Sequence, residues 1–444
     1  MRKYIATANF YKTTAQMMVP IAIQSMINSL SGLVDTMMAS KFNAVSAVGT
    51  ALQIDSLVQG IAFGIAAGIN IFVVQYFGAR DLVNMKKSFG LNVLAVSIHA
   101  VFWIILSLSL NTSLLGIFIK DQAVVSIGFE YLQFSCFSFL FSCLSMVFTF
   151  AFHSMKRADI PLFISIFVVI FHILLNYLLM FVFHLGVKGA GISMLLTQLA
   201  NASCYIFYSY KTYQPFVGTF KQLFSFSFSF VKKVIKTVFP LVINEVFFGI
   251  GNSLFIVAYG SLGKLVMDAY YIGNQIANVF YTVVNAMSDA ATAIIGYSLG
   301  KKEVKEAENE VNYFLGIASI LAVLVVGIIL ISAPLIVGFF HVESKAAFDL
   351  SVSIIRVLSI RIAFRLFNVI VFASLRAGGD THYLMFLDAS LLWGVGLVVT
   401  YGVIYLLGIQ NIVFVILLGQ VEQLVRLFFG MKRVRSKKWM KELY

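Results

Sequence analysis

Twelve apolar stretches constrain this chain more than any other feature. A hydrocarbon core of about 30 Å takes roughly 20 apolar residues as a helix. In lipid, backbone polar groups must be satisfied within the segment, so such runs read as helices. The predicted spans are 15–38, 46–76, 90–112, 125–152, 160–183, 190–210, 234–260, 270–298, 312–337, 350–374, 383–407 and 411–430. Several are long for a straight crossing, which implies tilt or extension past the lipid. The expected class is therefore an all-α integral membrane protein.

Only 11% of residues are charged, against about 25% in soluble domains. The net charge of +13 does not point to nucleic acid, because the basic residues are spread over short segments between spans. Of the 32 Lys and Arg, 23 fall in segments that are cytoplasmic if the N-terminus is, and five in the opposite loops. This bias places both termini in the cytoplasm, with a multi-pass chain in the plasma membrane. Arg2, Lys3 and Lys12 precede the first run, but its length, Pro20 and Asp35 make it a retained helix rather than a signal peptide. Cys136 and Cys143 lie about 10 Å apart along one predicted helix, too far for a disulfide, and with Cys204 they form no metal knuckle.

The chain repeats itself. Gln53-Ile54 recurs 222 residues later as Gln275-Ile276, Gly78-Ala79-Arg80-Asp81 as Gly300-Lys301-Lys302-Glu303, and Gly186 as Gly408. Pro20 pairs with Pro240 at an offset of 220, and Lys156 and Asp159 correspond to Arg376 and Asp380. Two pseudo-symmetric six-helix bundles follow, related by an axis along the membrane normal. The expected domains are an N-terminal lobe at 1–210, a cytoplasmic linker at 211–233, a C-terminal lobe at 234–430 and a basic tail at 431–444. Within the linker, FSFSFSF flanked by lysines suits a phenylalanine-anchored interfacial helix. The tail suits the anionic inner leaflet, with Trp439 as anchor. Gly60, Gly64 and Gly68 form a small-residue ridge for close helix packing, and Pro20, Pro161, Pro240 and Pro334 are placed near helix ends.

Polar residues inside apolar helices mark candidate sites, since a mid-membrane carboxylate costs roughly 2.5 kcal/mol or more. In the first helix, Gln24, Asn28, Ser31, Gly32 and Asp35 share one face. No Lys or Arg lies mid-membrane in the N-half, so Asp35 is the candidate for binding and releasing a proton or metal cation. Asn28 shares its face, and Asn176 with Thr197 or Gln198 can supply hydrogen bonds. His99 and His172 are read as packing histidines. In the eighth helix, Asn274, Asn278, Tyr281, Thr282, Asn285 and Asp289 form a stripe that either faces a water-filled cavity or bonds neighbouring helices. Glu245, Gly249 and Asn252 share a face of the seventh. Arg361, Arg365 and Asp388 complete the C-half polar set, and Glu422 with Arg426, at i and i+4, reads as a structural ion pair.

With these residues in place, the chain resembles the multidrug and toxic compound extrusion family, whose wider superfamily includes lipid-linked oligosaccharide flippases. The likeness rests on Pro20 and Asp35 in the first helix, VVQYFGARD closing the second, LNYLL in the fifth, PLVINE opening the seventh, and SLRAGGDT at 374–381. It implies a two-lobed antiporter, open alternately to each side, that exports organic cations against sodium or protons. The same likeness implies that Asp35 is the coupling carboxylate, with Asn176 beside it, and that Glu245 matches the helix-7 carboxylate of the sodium-coupled branch. Where many members carry Asp-Pro after the asparagine, this chain has Met180 and Phe181. Arg361 and Arg365 stand nearest the place of a helix-10 carboxylate. The expected function is a cation-coupled exporter of amphipathic organic cations, acting as a monomer in the lipid bilayer. No cofactor is expected beyond the coupling H+ or Na+, and no nucleic-acid partner. A flippase of the same architecture is the alternative. A membrane enzyme is disfavoured, since no H-E-x-x-H, G-x-S-x-G or metal-spaced His/Cys set is present.

Overall fold

The computed structural model describes residues 4–42, 44–110, 112–117, 121–339 and 344–441, without the side chains of Leu30, Ser31, Leu33, Thr36 and Lys264. Arg2, Lys3 and Lys120, and the Ser31 side chain of the first polar face, thus lie outside the described residues. The first half is built of α1 Ala8–Ser40, α2 Val45–Gly78, α3 Leu82–Leu110, a bent α4 (Gln122–Ser135 and Ser138–Ser154), α5 Asp159–Val182 and α6 Gly186–Lys211. The second half comprises α7 Phe228–Gly260, α8 Lys264–Gly300, α9 Val304–Gly338, α10 Lys345–Ala377, α11 Thr381–Leu406 and α12 Ile412–Arg435. Among the described residues, nine of these are long and apolar enough to span a membrane by themselves, ten with the 54° bend of α4 read as one span. With α1 and α10, each of 33 residues, the twelve expected helices are all present.

The repeat is written into the backbone. Arg80 and Lys302 both adopt left-handed conformations, with φ of 59° and 62°. Each follows a helix end closed in the same way: Asp81 N–H donates to the Tyr76 carbonyl and Glu303 N–H to the Ser298 carbonyl, both at 3.0 Å. These bonds satisfy carbonyls that a helix end otherwise leaves orphaned. Gly186 and Gly408 match likewise, at φ of 54° and 66°.

The chain divides into two compact units, Val19–Val242 and Met1–Met18 with Ile243–Tyr444. The division falls inside α1 and α7, next to Pro20 and Pro240. Those two prolines lie well inside their helices, not near helix ends, because each helix begins with a polar or mixed turn that hydropathy does not register.

Within the Val19–Val242 unit, α2 is the central element, buried along most of its second half. The glycine ridge is used at its inner end only: a Cβ on Gly68 would meet Val238 and Leu241 of α7 at 3.1 Å, whereas one on Gly60 would meet open space. The linker does not form one interfacial helix. It makes a short helix, Phe220–Phe224, closed by a Thr219–Gln222 capping box, then a non-helical break at Ser225–Ser227, and only the last three residues of FSFSFSF enter α7. A Cβ on Gly90 of α3 would lie 2.1 Å from the Leu223 carbonyl oxygen, so this short helix sits directly on α3.

In the other unit, α8, α10 and α9 form the core and the first residues of α1 join them. Phe10 packs edge-on against Tyr313 and Phe314 at 5.1 and 5.4 Å. The tail is also folded, contrary to the expectation of a leaflet anchor. Trp439 is fully buried, and its indole N–H donates to the Val434 carbonyl at 3.0 Å. Asp380, in the α10–α11 turn, accepts from Arg433 Nε at 2.7 Å and Lys441 Nζ at 2.8 Å. Lys437 reaches Glu308 at 2.6 Å. The basic tail finds acidic partners within its own unit, and the tryptophan fills the gap over the turn.

Candidate functional site

Helices α1, α5 and α6 bring the N-half polar residues together. Asp35 Oδ1 lies 2.7 Å from His172 Nε2 and accepts from Asn176 Nδ2 at 2.5 Å. Behind them, His172 Nδ1 is 3.0 Å from Thr197 Oγ1. The Asp35 side chain is 12% exposed and that of His172 3%. His172 and Asn176 sit at i and i+4, so one face of α5 presents both. The α-helix gives way just beyond, at Leu178–Val182, to a π-helical turn, a local irregularity common at functional sites.

The partner of Asp35 is therefore a histidine, not an asparagine or threonine alone. This corrects the reading of His172 as a packing residue, whereas His99 does pack, with its Nε2 3.0 Å from the Val58 carbonyl oxygen. Thr197 contacts the histidine rather than the carboxylate. Asn28 is exposed, and among the described residues no hydrogen bond joins it to Asp35; two turns of helix separate them. The sequence signal for His172 was available as a polar i, i+4 pair on an otherwise apolar helix.

The hydrogen bonds of this network can be made with the imidazole neutral or charged. With a neutral imidazole, Nε2–H donates to the carboxylate and Nδ1 accepts from the Thr197 hydroxyl. With an imidazolium, both nitrogens donate and the hydroxyl, which is donor and acceptor alike, turns to accept. No lysine or arginine of the described residues takes part.

The C-half cluster is different in kind. Arg426 Nη1 is 3.0 Å from Asp388 Oδ1, and Nη2 pairs with Glu422 Oε1 and donates to the Asp388 carbonyl at 3.0 Å. The first contact is an ion pair by distance, outside hydrogen-bonding angles. Asn244 Nδ2 donates to Asp388 Oδ2 at 3.0 Å, and the guanidinium lies over Phe372. The expected Glu422–Arg426 pair is present, and Asp388 belongs to it rather than to a free polar lining. Asp388 stands in a π-helical segment, Phe386–Ser390.

The remaining C-half residues are not gathered into that cluster. Arg365 lies over the rings of Tyr281 and Phe248, at 5.0 and 5.8 Å, and Arg361 is half-buried one turn away. Asn252 turns back to the Phe248 carbonyl of its own helix at 3.0 Å, so it is not a free cavity group. Glu245, next to Asn244, is half-buried. Along α8, Asn278 and Asn285 are exposed and Asn274 and Asp289 half-buried. Among the described residues, none of these four side chains bonds a neighbouring helix. Thr282 is buried and donates back to the Val279 carbonyl.

Duplicated six-helix halves, with nine or ten helices among the described residues apolar enough to cross a membrane, define a polytopic membrane protein. The chain belongs to the MatE family, which matches residues 20–178 and again 240–402, so each match opens on one of the paired prolines. It is 25% identical over 404 residues to the uncharacterized transporter YisQ of Bacillus subtilis, covering 86% of this chain and 85% of that one. It is 21% identical to the probable multidrug resistance protein NorM of Listeria innocua, covering 88% and 87%. Among solved structures, a mutant of the Vibrio cholerae MATE transporter VcmN superposes with a TM-score of 0.89 at 16% identity, covering 98% of this chain and 99% of that one. A MATE protein in its bent conformation gives 0.88 at 18%, covering 97% and 96%.

Proposed function

We propose that this protein exports amphipathic organic cations by alternating access, coupled to proton entry at the Asp35–His172 pair. The observation that carries the reading is the contact of Asp35 Oδ1 with His172 Nε2 and Asn176 Nδ2. Two nitrogen groups face this carboxylate oxygen. A sodium ion is a hard cation that takes oxygen ligands, whereas a carboxylate faced by an imidazole nitrogen can share a proton with it. Adding one proton removes the negative charge from the network. Coupling between ion and substrate demands that the two charge states favour different arrangements of α1 against α5. Relatives matched over 85% and 87% of their own length are named probable multidrug resistance proteins, which supports an organic, amphipathic substrate. A flippase for anionic lipid-linked precursors is less well supported, because Arg365, one of the two cations that would favour it, is covered by aromatic rings.

The test is export of a cationic dye from proteoliposomes under a pH gradient and, separately, a sodium gradient. The pH gradient should drive export and the sodium gradient should not. Asp35→Asn should abolish gradient-driven export, and His172→Gln should reduce it at least tenfold, as expected for loss of one hydrogen bond to a charged group, about 1.5–3 kcal/mol. Undiminished export by Asp35→Asn, or export driven by sodium alone, refutes the proposal.

A further inference from the structure

At the end of the Val19–Val242 unit where α2 turns into α3, two adjoining cavities of about 460 and 540 Å³ lie between α3 and the linker. They share Leu82, Lys86, Thr219 and Gln222. Lys86, Lys87 and Lys221 line the smaller one, and no carboxylate lines either. The nearby acid Asp81 is engaged elsewhere: its carboxylate accepts from the Asn84 backbone and side-chain amides at 3.0 and 2.6 Å. Among the described residues, none of the three lysines is paired with an acid.

The arrangement is fixed, not a chance meeting of mobile side chains. Leu223 is buried with its backbone against Gly90. Phe216 is fully buried between Phe89 and Phe152, at 4.7 and 5.3 Å. The Tyr210 hydroxyl donates to the Gly218 carbonyl at 3.1 Å. These contacts hold Lys221 opposite Lys86 and Lys87 whatever the lysines themselves do. Around the cavities, Leu82, Val83, Phe220 and Tyr213 are exposed, the last two at 78% and 89%. Exposed aromatic and aliphatic groups beside unpaired lysines, at the end of membrane helices, match the level where acyl chains meet headgroups.

We infer that these cavities bind the phosphate headgroup of an anionic phospholipid, with the lysines on the phosphate and the exposed apolar side chains on the lipid's acyl region. A soluble phosphate would account for the lysines but would leave the apolar rim without a role. A zwitterionic headgroup would bring an ammonium group into a cavity that offers it no acid. The site is on the side that the lysine distribution assigns to the cytoplasm, where anionic lipid attracts basic segments.

Native mass spectrometry of the full-length protein in detergent, titrated with phosphatidylglycerol and with phosphatidylcholine, tests this. The wild type should retain phosphatidylglycerol preferentially. The loss expected is about fivefold per lysine, so Lys86→Gln/Lys87→Gln/Lys221→Gln should lose on the order of 100-fold in that preference at low salt. The matching arginine variant should keep it, as should Lys232→Gln/Lys236→Gln/Lys305→Gln, which removes the same charge elsewhere. An unchanged preference in the first variant, or an equal loss in the charge-matched control, overturns the site. Millimolar inorganic phosphate should fail to displace the lipid; displacement as complete as that by short-chain phosphatidylglycerol overturns the lipid assignment in favour of soluble phosphate.

Discussion

Replacing Arg426 by glutamine gives the sharpest test of how the C-half is held together. The Arg426 and Glu422 side chains are each 4% exposed and that of Asp388 13%, so the substitution leaves two carboxylates facing each other with little water. Deleting one partner of a buried pair costs about 3–5 kcal/mol, because the remaining charge is uncompensated. Asp388 keeps the Asn244 amide, but Glu422 loses its guanidinium, which puts the cost at about 4 kcal/mol, the middle of that range. Glu422→Gln is milder: Arg426 keeps Asp388, and the loss is that of one hydrogen bond to a charge, about 1.5–3 kcal/mol. The double variant should recover at least about 2 kcal/mol relative to the sum, since the glutamine at 422 no longer needs a cation. A change of 1 kcal/mol moves the melting temperature by roughly 2–4 °C in a unit of this size. Arg426→Gln should therefore melt on the order of 10 °C below wild type. Intrinsic tryptophan fluorescence of the detergent-solubilised protein reads this directly, because Trp393 lies on α11, the helix of Asp388. A melting point within the scatter of wild type, or single effects that simply add, would refute the cluster as a strut.

Two further outcomes concern the tail. Burial works against the Asp380 carboxylate, but the hydrogen bonds from Arg433 and Lys441 outweigh it and hold its pKa below the usual range. The folded pKa is thus lower than the unfolded one, so this clasp is fully present above about pH 4 and is lost as pH falls through the depressed value. At neutral pH, Asp380→Asn should expose the tail to trypsin and speed cleavage around Lys437 and Lys438 about tenfold, from the loss of charge-assisted hydrogen bonds; unchanged digestion would count against the clasp. Gly378→Ala should release the tail by a steric route, since the added Cβ would lie 1.9 Å from the Trp439 carbonyl oxygen. A red shift of tryptophan emission is the expected sign, and an unshifted spectrum with a protected tail would show that the turn relaxes instead.

Spans and repeat were legible because hydropathy and helix-end chemistry are local. Arg80 and Lys302 needed only the recurrence of a glycine–basic–acidic turn, and the left-handed φ at both positions follows from how such helix ends close. Glu422 with Arg426 was legible for the same reason, four residues apart on one helix. The pairing of Asp35 with a histidine was not, since 137 residues separate the two, and a histidine at i, i+4 from Asn176 on an apolar helix has the same local signature whether it packs or pairs. Trp439 failed for a related reason: a tryptophan among lysines reads alike as a lipid anchor or a plug, and Asp380, the acid that holds the tail through Arg433 and Lys441, comes from the distant α10–α11 turn. The helix extension before Pro20 was missed because ANFYKTTAQ carries no apolar periodicity of its own, and what fixes its start is Phe10 against Tyr313 and Phe314.

The two halves share a backbone plan but not a charge plan. Helices α5 and α11 occupy matching places in the repeat, since each ends in a turn at Gly186 or Gly408 with the same left-handed backbone. On α5, His172 faces the Asp35 carboxylate through Nε2 and the Thr197 hydroxyl through Nδ1, with no lysine or arginine of the described residues taking part. On α11, Asp388 meets the guanidinium of Arg426, which stays charged at any pH a cell visits. A carboxylate that must exchange a cation with water cannot be permanently occupied by one. On the proposed reading, duplication supplied two equivalent frames, and the arginine on α12 turned one of them into a fixed strut. The histidine on α5 left the other free to cycle between charge states.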